Sequence, residues 1–354
     1  MNIYYGIPSG SLVNFEEKEI ARRLISALSD LKCHTRDFTT DDPYPFDAVK
    51  GTPSLIHAFN LVKSGIPCQK LAEASRLPLV ISCTGLDVYA DIHNPALRPH
   101  LHNTLESASK VIVPFPSMAR FLKARLQIST SFEIIPPGVI PLEIEFDFPG
   151  DNFGFADSDR LIMLEGGLIP AKNAIFAIHS IDKIISDYPD LKLVIFEQPA
   201  DTEYKRRVET EAATRPWVRI ISRPETEILP YVYNMAELFI NVSHAEGYNP
   251  FLLNAMQLGK PILASDIHGN NAYVRNEMTF PDNGTGLLYF TSPVTAGYER
   301  IHDADDFIEK LRYLLDNPEA AKVLGQRAKN VITKSFSIQK EVYLHLQLYK
   351  NLLK

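Results

Sequence analysis

The chain of 354 residues is poor in cysteine, in tryptophan, in net positive charge and in long apolar runs. Its 3 cysteines, Cys33, Cys68 and Cys83, are odd in number and far apart. That usage excludes a disulfide framework and fits free thiols in a reducing compartment. No Cys/His cluster has zinc-site spacing, and His100 and His102, being two apart, would diverge on a helix. Acids outnumber bases by 43 to 36, a net charge of −7, so the basic face that general nucleic-acid binding needs is missing. No apolar run reaches the roughly 18 residues of a spanning helix. The start, Met1–Gly6, has no basic lead and no long apolar stretch, so it reads as a strand and not as a signal peptide. A cytoplasmic protein is the expectation.

What is present is alternation. A hydrophobic content of 45% fills two cores, and the length predicts two domains. Ile3–Gly6 reads as a strand. Glu16–Leu28 follows as a helix, with Ile20, Leu24 and Leu28 on one face. Leu79–Cys83 and Val111–Val113 read as buried parallel strands among helical segments Leu97–Ser107 and Ser117–Leu126. Glu133–Ile135 ends at Pro136-Pro137-Gly138. Between Pro141 and Asp159 the periodicity is lost, as expected of an inter-domain connection. A second series starts at Leu161–Leu164. It runs through helix Asn173–Ile185, strand Leu191–Phe196, a helix after Thr202, strand Val218–Ile221 and helix Glu225–Asn234. Strand Leu238–Asn241, helix Pro250–Leu258 and strand Pro261–Ala264 complete it. Asp303–Leu353 is mostly helical. Strands alternating with helices predict an α/β protein of two doubly wound parallel sheets, with ligand crevices at the strands' carboxyl ends. The expected domains are 1–150 and 151–335, with 336–354 a helix packing back towards the first.

The stretch from Ile240 to Met256 is the richest in chemistry. A strand ends, a polar loop follows, Asn249 is a natural cap and Pro250 suits the first helical position. The N–H groups of such a helix start attract phosphate. Glu246 hangs over it, and Asn254 lies about two turns along. Asn-Pro helix starts are common in α/β proteins, but Ser265–Asn270 adds small and polar residues at the next strand's end. Gly6–Ser11 is either a ligand-approaching loop or an ordinary turn. It is no Gly-x-Gly-x-x-Gly fingerprint, which removes the main support for a dehydrogenase. His57 ends a short apolar run and either lines a cleft or serves the core. Asp303, Asp305 and Asp306 read as capping acids. Ser117–Leu126 mixes Arg120, Lys123 and Arg125 with Met118, Phe121 and Leu122. Peripheral membrane contact is conceivable there, and a solvated helix face is the simpler reading.

The pattern Glu246-Gly247-x-x-Pro250-x-x-Leu253-x-Ala255-Met256-x-x-Gly259-x-Pro261-Ile262 resembles the donor-site motif of family 4 glycosyltransferases. Glu165–Asn173 resembles that family's Gly-Arg-Leu-x-x-x-Lys-Asn/Gly segment. Ile134–Val139 resembles its Ile-Pro-x-Gly-Val segment, and Gly286-Leu287-Leu288 a short run near the end of its second domain. The resemblance implies the GT-B fold, two Rossmann-like domains facing across a cleft. It implies hexosyl transfer from a nucleotide sugar, with retention of anomeric configuration and without a metal. A UDP-sugar is the first expectation, GDP- or ADP-sugar the next. Glu246 would hold the donor sugar and act in catalysis. Lys172, Gly167, Asn249, Pro250, Phe251, Leu252 and Asn254 would bind the donor, with Ser222–Glu225 near the base. Gly6, Ser9, Gly10, His57, Thr84 and Asp87 are the candidates on the sugar or acceptor side. Three departures stand out. The family's second glutamate is Asn254, its diphosphate-binding arginine falls on Gly167, and Thr84–Tyr89 lacks its first-domain histidine. A non-catalytic nucleotide-sugar binder and a sugar-nucleotide epimerase are the competing readings. The acceptor and the oligomeric state are not encoded in any motif.

Overall fold

Apolar runs become strands buried on both faces, because helices cover each side of a parallel sheet. A computed structural model describes residues 2–7, 15–29, 33–39, 53–142, 144, 153–164, 167–197, 200–225, 227–295 and 297–354. The chain divides into two compact units. One comprises Met1–Gly138, Glu246–Tyr248 and Phe336–Lys354; the other comprises Val139–Ala245 and Asn249–Ser335.

In the first unit the elements run β1 (Asn2–Ile7), α1 (Phe15–Ser29), β2 (His34–Thr39), β3 (Leu55–Phe59), α2 (Ile66–Ser75) and β4 (Leu79–Ser82). Then come α3 (Leu86–Tyr89), α4 (Arg98–Ser107), β5 (Lys110–Val113), α5 (Pro116–Leu126) and β6 (Phe132–Ile134). The sheet order is β2-β1-β3-β4-β5-β6, all parallel. The order reverses between β1 and β3, the place where such sheets bind ligands. Three strands go beyond the sequence reading. β2, at the sheet edge, is mostly polar and has no apolar run, β3 carries a histidine at its centre, and β12 of the second unit (Leu287–Tyr289) is only 3 residues long. Met118, Leu122 and Leu126 of α5 are buried, while Arg120, Lys123 and Arg125 face solvent.

The second unit runs β7 (Arg160–Leu164), α6 (Ala174–Asp182), β8 (Leu191–Phe196), α7 (Thr202–Ala212), β9 (Val218–Ile221) and α8 (Leu229–Asn234). It continues with β10 (Leu238–Asn241), α9 (Pro250–Gln257), β11 (Ile262–Ser265), β12 (Leu287–Tyr289), α10 (Ala304–Asp316) and α11 (Pro318–Ser335). Its parallel sheet has the order β12-β11-β10-β7-β8-β9, so β7 and β10 flank the switch point. α8 starts four residues later than the expected Glu225. Pro230 has no N–H and fits only a first helical turn, so Glu225 instead closes a turn onto Ile228 and Leu229. Among the described residues no helix is long and apolar enough to cross a membrane.

The last helix, α12 (Ile338–Leu352), belongs to the first unit and starts at Ser337, whose hydroxyl accepts from Lys340 N. Polar pairs tie it to the sheet. Tyr349 Oη meets His57 Nδ1 at 2.7 Å and Tyr5 Oη at 3.3 Å, and His57 Nε2 meets Ser82 Oγ at 2.8 Å. Glu341 pairs with Arg23 of α1 at 2.9 Å and accepts from Gly138 N at 2.9 Å. Arg23 also donates to Gly138 O and, at 3.1 Å, to Tyr248 Oη.

This buried layer responds to acid. Burial holds the His345 imidazole down to about 4, opposed by its bond to Glu341 O and reinforced by Arg23. His57 is lowered by burial and then by His345. In the unfolded chain both take a proton near pH 6.5. Folded stability is therefore fully present above that pH and falls as the pH drops towards 4. His345 alone accounts for about 2 kcal/mol between roughly pH 7.5 and pH 5. Urea titrations at the two pH values will show the loss, and His345→Phe will reduce it.

Candidate donor site and relatives

Two loops meet at the carboxyl ends of β7 and β10. After β7, Gly167 takes the left-handed conformation at φ 78°, Leu168 bridges to Ala200, and Pro170–Lys172 forms a helical turn. Asn173 follows at φ 54°, which asparagine tolerates, and leads into α6. After β10, His244 N–H donates to Ala171 O at 2.8 Å, joining the two loops. Lys172 is only 4% exposed. So deep a lysine is part of the packed loop and not a surface lysine.

Beneath these loops lies a buried polar network. Asn270 Nδ2 donates to Asn241 Oδ1 at 2.9 Å and to Ser265 O and Oγ at 3.0 Å. Ser265 Oγ donates to Ser243 O at 2.9 Å. Asn270 Oδ1 is buried without a partner, so the loop after β10 is held from below through the donor end of that amide and the Ser265 hydroxyl.

The helix start follows the sequence reading in its cap and narrows it in its donors. Asn249 has extended backbone and its Oδ1 accepts from Leu252 N at 3.1 Å. Leu253 N bonds Asn249 O, and Pro250 has no N–H. Among the described residues this leaves Phe251 N–H as the first-turn donor without a partner. Asn249 Nδ2 is also buried and unpartnered. Two unsatisfied donors thus stand together where the helix dipole is positive. Phe251 and Leu252 contribute buried side chains to the unit's core, and Asn254 lies on the second turn, half-buried, 3.5 Å from Gln257 Nε2.

The glycine in the family's arginine position has a backbone cause. At φ 78° an arginine at residue 167 would be strained by about 1–2 kcal/mol. Glu165 and Gly166 lie outside the described residues.

Glu246, Gly247 and Tyr248 are counted with the first unit. Glu246 is 1% exposed. Tyr248 N–H donates to Thr84 O at 2.7 Å, and a side chain on Gly85 or Gly247 would collide with the other's backbone. Asp87 accepts from the N–H groups of Leu61 at 2.7 Å, Gly85 at 2.6 Å and Thr84 at 3.1 Å. Those three donors use both carboxylate oxygens, so Asp87 organises the loops after β3 and β4. His57, with both ring nitrogens engaged, is a core residue of β3. Gly6 is buried in β1 between Phe38 and Ala58, while Ser9 and Gly10 lie outside the described residues. Among the described residues no three His, Cys, Asp or Glu side chains converge on a metal position.

The Asn241–Ser265–Asn270 network, the Arg23–Glu341 pair and a histidine pair at His244 and His302 were not singled out from sequence. Only the polar run Ser265–Asn270 gave a signal for any of them.

The relatives agree with this architecture. Over 292 residues, the chain is 24% identical to "Glycosyltransferase 1 domain-containing protein 1" of Xenopus tropicalis, covering 78% of this chain and 79% of that protein. Sucrose-phosphate synthase from Thermosynechococcus elongatus superposes with a TM-score of 0.77 at 17% identity, over 99% of both chains. HepE of Anabaena, solved in complex with UDP and glucose, gives 0.72 at 14% identity, again over 99% of both chains. At these identities the solved structures establish a shared two-domain α/β fold. Residues 151–331, just over half of the chain and including the whole loop from β10 to α9, match the family described as "Glycosyl transferases group 1". The chain belongs to that family of glycosyltransferases.

Proposed function

We propose that this glycosyltransferase moves a hexose from a nucleoside-diphosphate sugar to an acceptor with retention of anomeric configuration. The observation that carries the reading is the pair of unpartnered donors, Phe251 N–H and Asn249 Nδ2, at the start of α9 beside the β7–β10 switch point. A diphosphate oxygen satisfies both. The buried ammonium of Lys172, on the adjoining turn, meets charge that builds on the diphosphate as the glycosidic bond breaks. Preorganised charge of this kind is often the largest catalytic contribution. Glu246, three residues ahead of the cap, holds donor-sugar hydroxyls. The anomeric carbon–oxygen bond to the diphosphate breaks and the acceptor oxygen bonds that carbon on the same face. The acceptor's proton passes to the departing diphosphate. Asn254 keeps an acceptor oxygen for the ribose without a charge. In this reading residues 151–335 bind the donor, 1–150 take the acceptor side, and a UDP-sugar is the first candidate, consistent with the UDP in HepE.

Thermal unfolding in the presence of UDP, GDP, ADP and their sugars tests it. The true donor at about 100 times its Kd stabilises the native state by about 2.7 kcal/mol through mass action. Product formed with the donor's anomeric configuration completes the assignment. No stabilisation by any nucleotide would sink the donor site, and inverted product would sink retention.

A further inference from the structure

The loop that carries Glu246 also carries a histidine whose proton position is fixed by its neighbours. His244 Nδ1 lies 3.1 Å from the main-chain N–H of Arg300. A backbone N–H can only donate, so Nδ1 holds a lone pair. His302 Nε2 stands 3.1 Å from the same Nδ1 and must therefore donate to it as well. The other nitrogen of a neutral His302 is then an acceptor, and the Tyr289 hydroxyl, 2.7 Å away, donates to it. The chain of donation runs from Tyr289 through His302 to His244, which leaves the His244 proton on Nε2.

That Nε2–H has no partner among the described residues and is not buried. The main chain around it is pinned on both sides. His244 N–H donates to Ala171 O, next to Lys172, at 2.8 Å, and His244 O accepts from Arg300 Nε at 3.1 Å. The groups around the pair are Tyr289 at the end of β12 and Tyr298, Glu299 and Arg300 in the loop after it, with the Phe176 ring of α6 against His302. Asp266, after β11, acts on Arg300.

We propose that His244 is a further donor-site positioning residue, its ring held by Tyr289 and His302 as an Nε2–H donor for an oxygen of the nucleotide sugar. The assignment rests on reading this loop as the donor site. Burial, opposed by Glu299 and reinforced by Arg300, lowers the His244 imidazole below its ordinary range. Burial, then His244 and Arg300, hold His302 to about 3. His302 is therefore neutral across physiological pH, and the Arg300 N–H on His244 Nδ1 keeps the His244 donor on Nε2.

Nitrogen-15 histidine NMR on the whole protein tests the tautomer directly. His244 should show Nε2–H, unchanged between about pH 8 and pH 6, and its Nε2 resonance should move on addition of UDP. Kinetics test the use. His244→Phe should raise KM for the donor at least about tenfold while kcat changes less, and His244→Gln, which restores an N–H, should recover part of that loss. An Nδ1–H tautomer would overturn the inference, as would unchanged KM in a folded His244→Phe variant. Wild-type protein that binds no nucleotide sugar while showing the Nε2–H tautomer would instead overturn the proposed donor site, and with it this use of the ring.

Discussion

Glu341→Ala should destabilise the first unit by about 3–5 kcal/mol, a large fraction of the stability of an ordinary domain. The reason is what stays behind. Arg23 and Glu341 side chains are 8% and 4% exposed, and the carboxylate receives Arg23 Nη2 through both oxygens, at 3.2 and 2.9 Å, together with Gly138 N–H. Removing the acid leaves a buried guanidinium without its carboxylate, beside neutral groups such as Gly138 O and the Tyr248 hydroxyl. Burial raises the Glu341 carboxyl above its usual range, and the Arg23 charge pulls it back down. The pair is therefore a poor source of net stability but costly to break by halves. The double variant Arg23→Met, Glu341→Leu should recover most of the loss. Urea unfolding of the three proteins is the measurement, and a Glu341→Ala midpoint equal to wild type would contradict the account. The damage should extend to activity, because Arg23 also donates to Tyr248, two residues after Glu246.

Lys172→Met should lower kcat by about 10²–10³ at saturating donor, the range seen when one preorganised charge-stabilising group is removed. Methionine keeps most of the lysine stem, so the space around buried Ala171 and Lys172 stays filled and the fold is retained. The effect should fall on kcat and on kcat/KM together, since the ammonium meets charge that develops only as the diphosphate departs. Gly167 offers no second cation to share the task. Glu246→Gln should instead act through the donor sugar, with UDP binding unchanged and turnover of the UDP-sugar lost. Turnover of Lys172→Met within about threefold of wild type would show that the helix start alone stabilises the leaving group.

Much of the fold was legible because parallel strands buried on both faces must be apolar. Leu79–Ser82, Leu161–Leu164 and Leu238–Asn241 announce themselves that way. β2 escaped because an edge strand needs no apolar run, and β3 because His57 interrupts it. That histidine is accommodated by Tyr349 and Ser82, partners 292 and 25 residues away in sequence. The helix start at Asn249 was legible because its cap and its proline are local signals. The donors that remain there were not, since they depend on which N–H the cap itself consumes. Asp87 shows the converse. An acid just after a strand reads as a ligand group, but three main-chain N–H groups occupy this one. Networks such as Asn241–Ser265–Asn270 and Tyr289–His302–His244 join distant segments, and the polar run Ser265–Asn270 is the one local trace of either.

The membership of α12 in the first unit has a consequence during synthesis. The sheet of that unit is encoded before residue 138, yet Arg23, His57 and Tyr5 find their partners on residues 341 and 349. At about 5–20 residues per second the ribosome needs roughly 10–40 s to travel from residue 138 to residue 336. Through that interval the nascent first unit carries an unneutralised guanidinium and, at His57 Nδ1, an unpartnered ring nitrogen in what will become its interior. The second unit, nearly continuous in sequence, can close first. The order of completion on the ribosome is then the reverse of the order of translation.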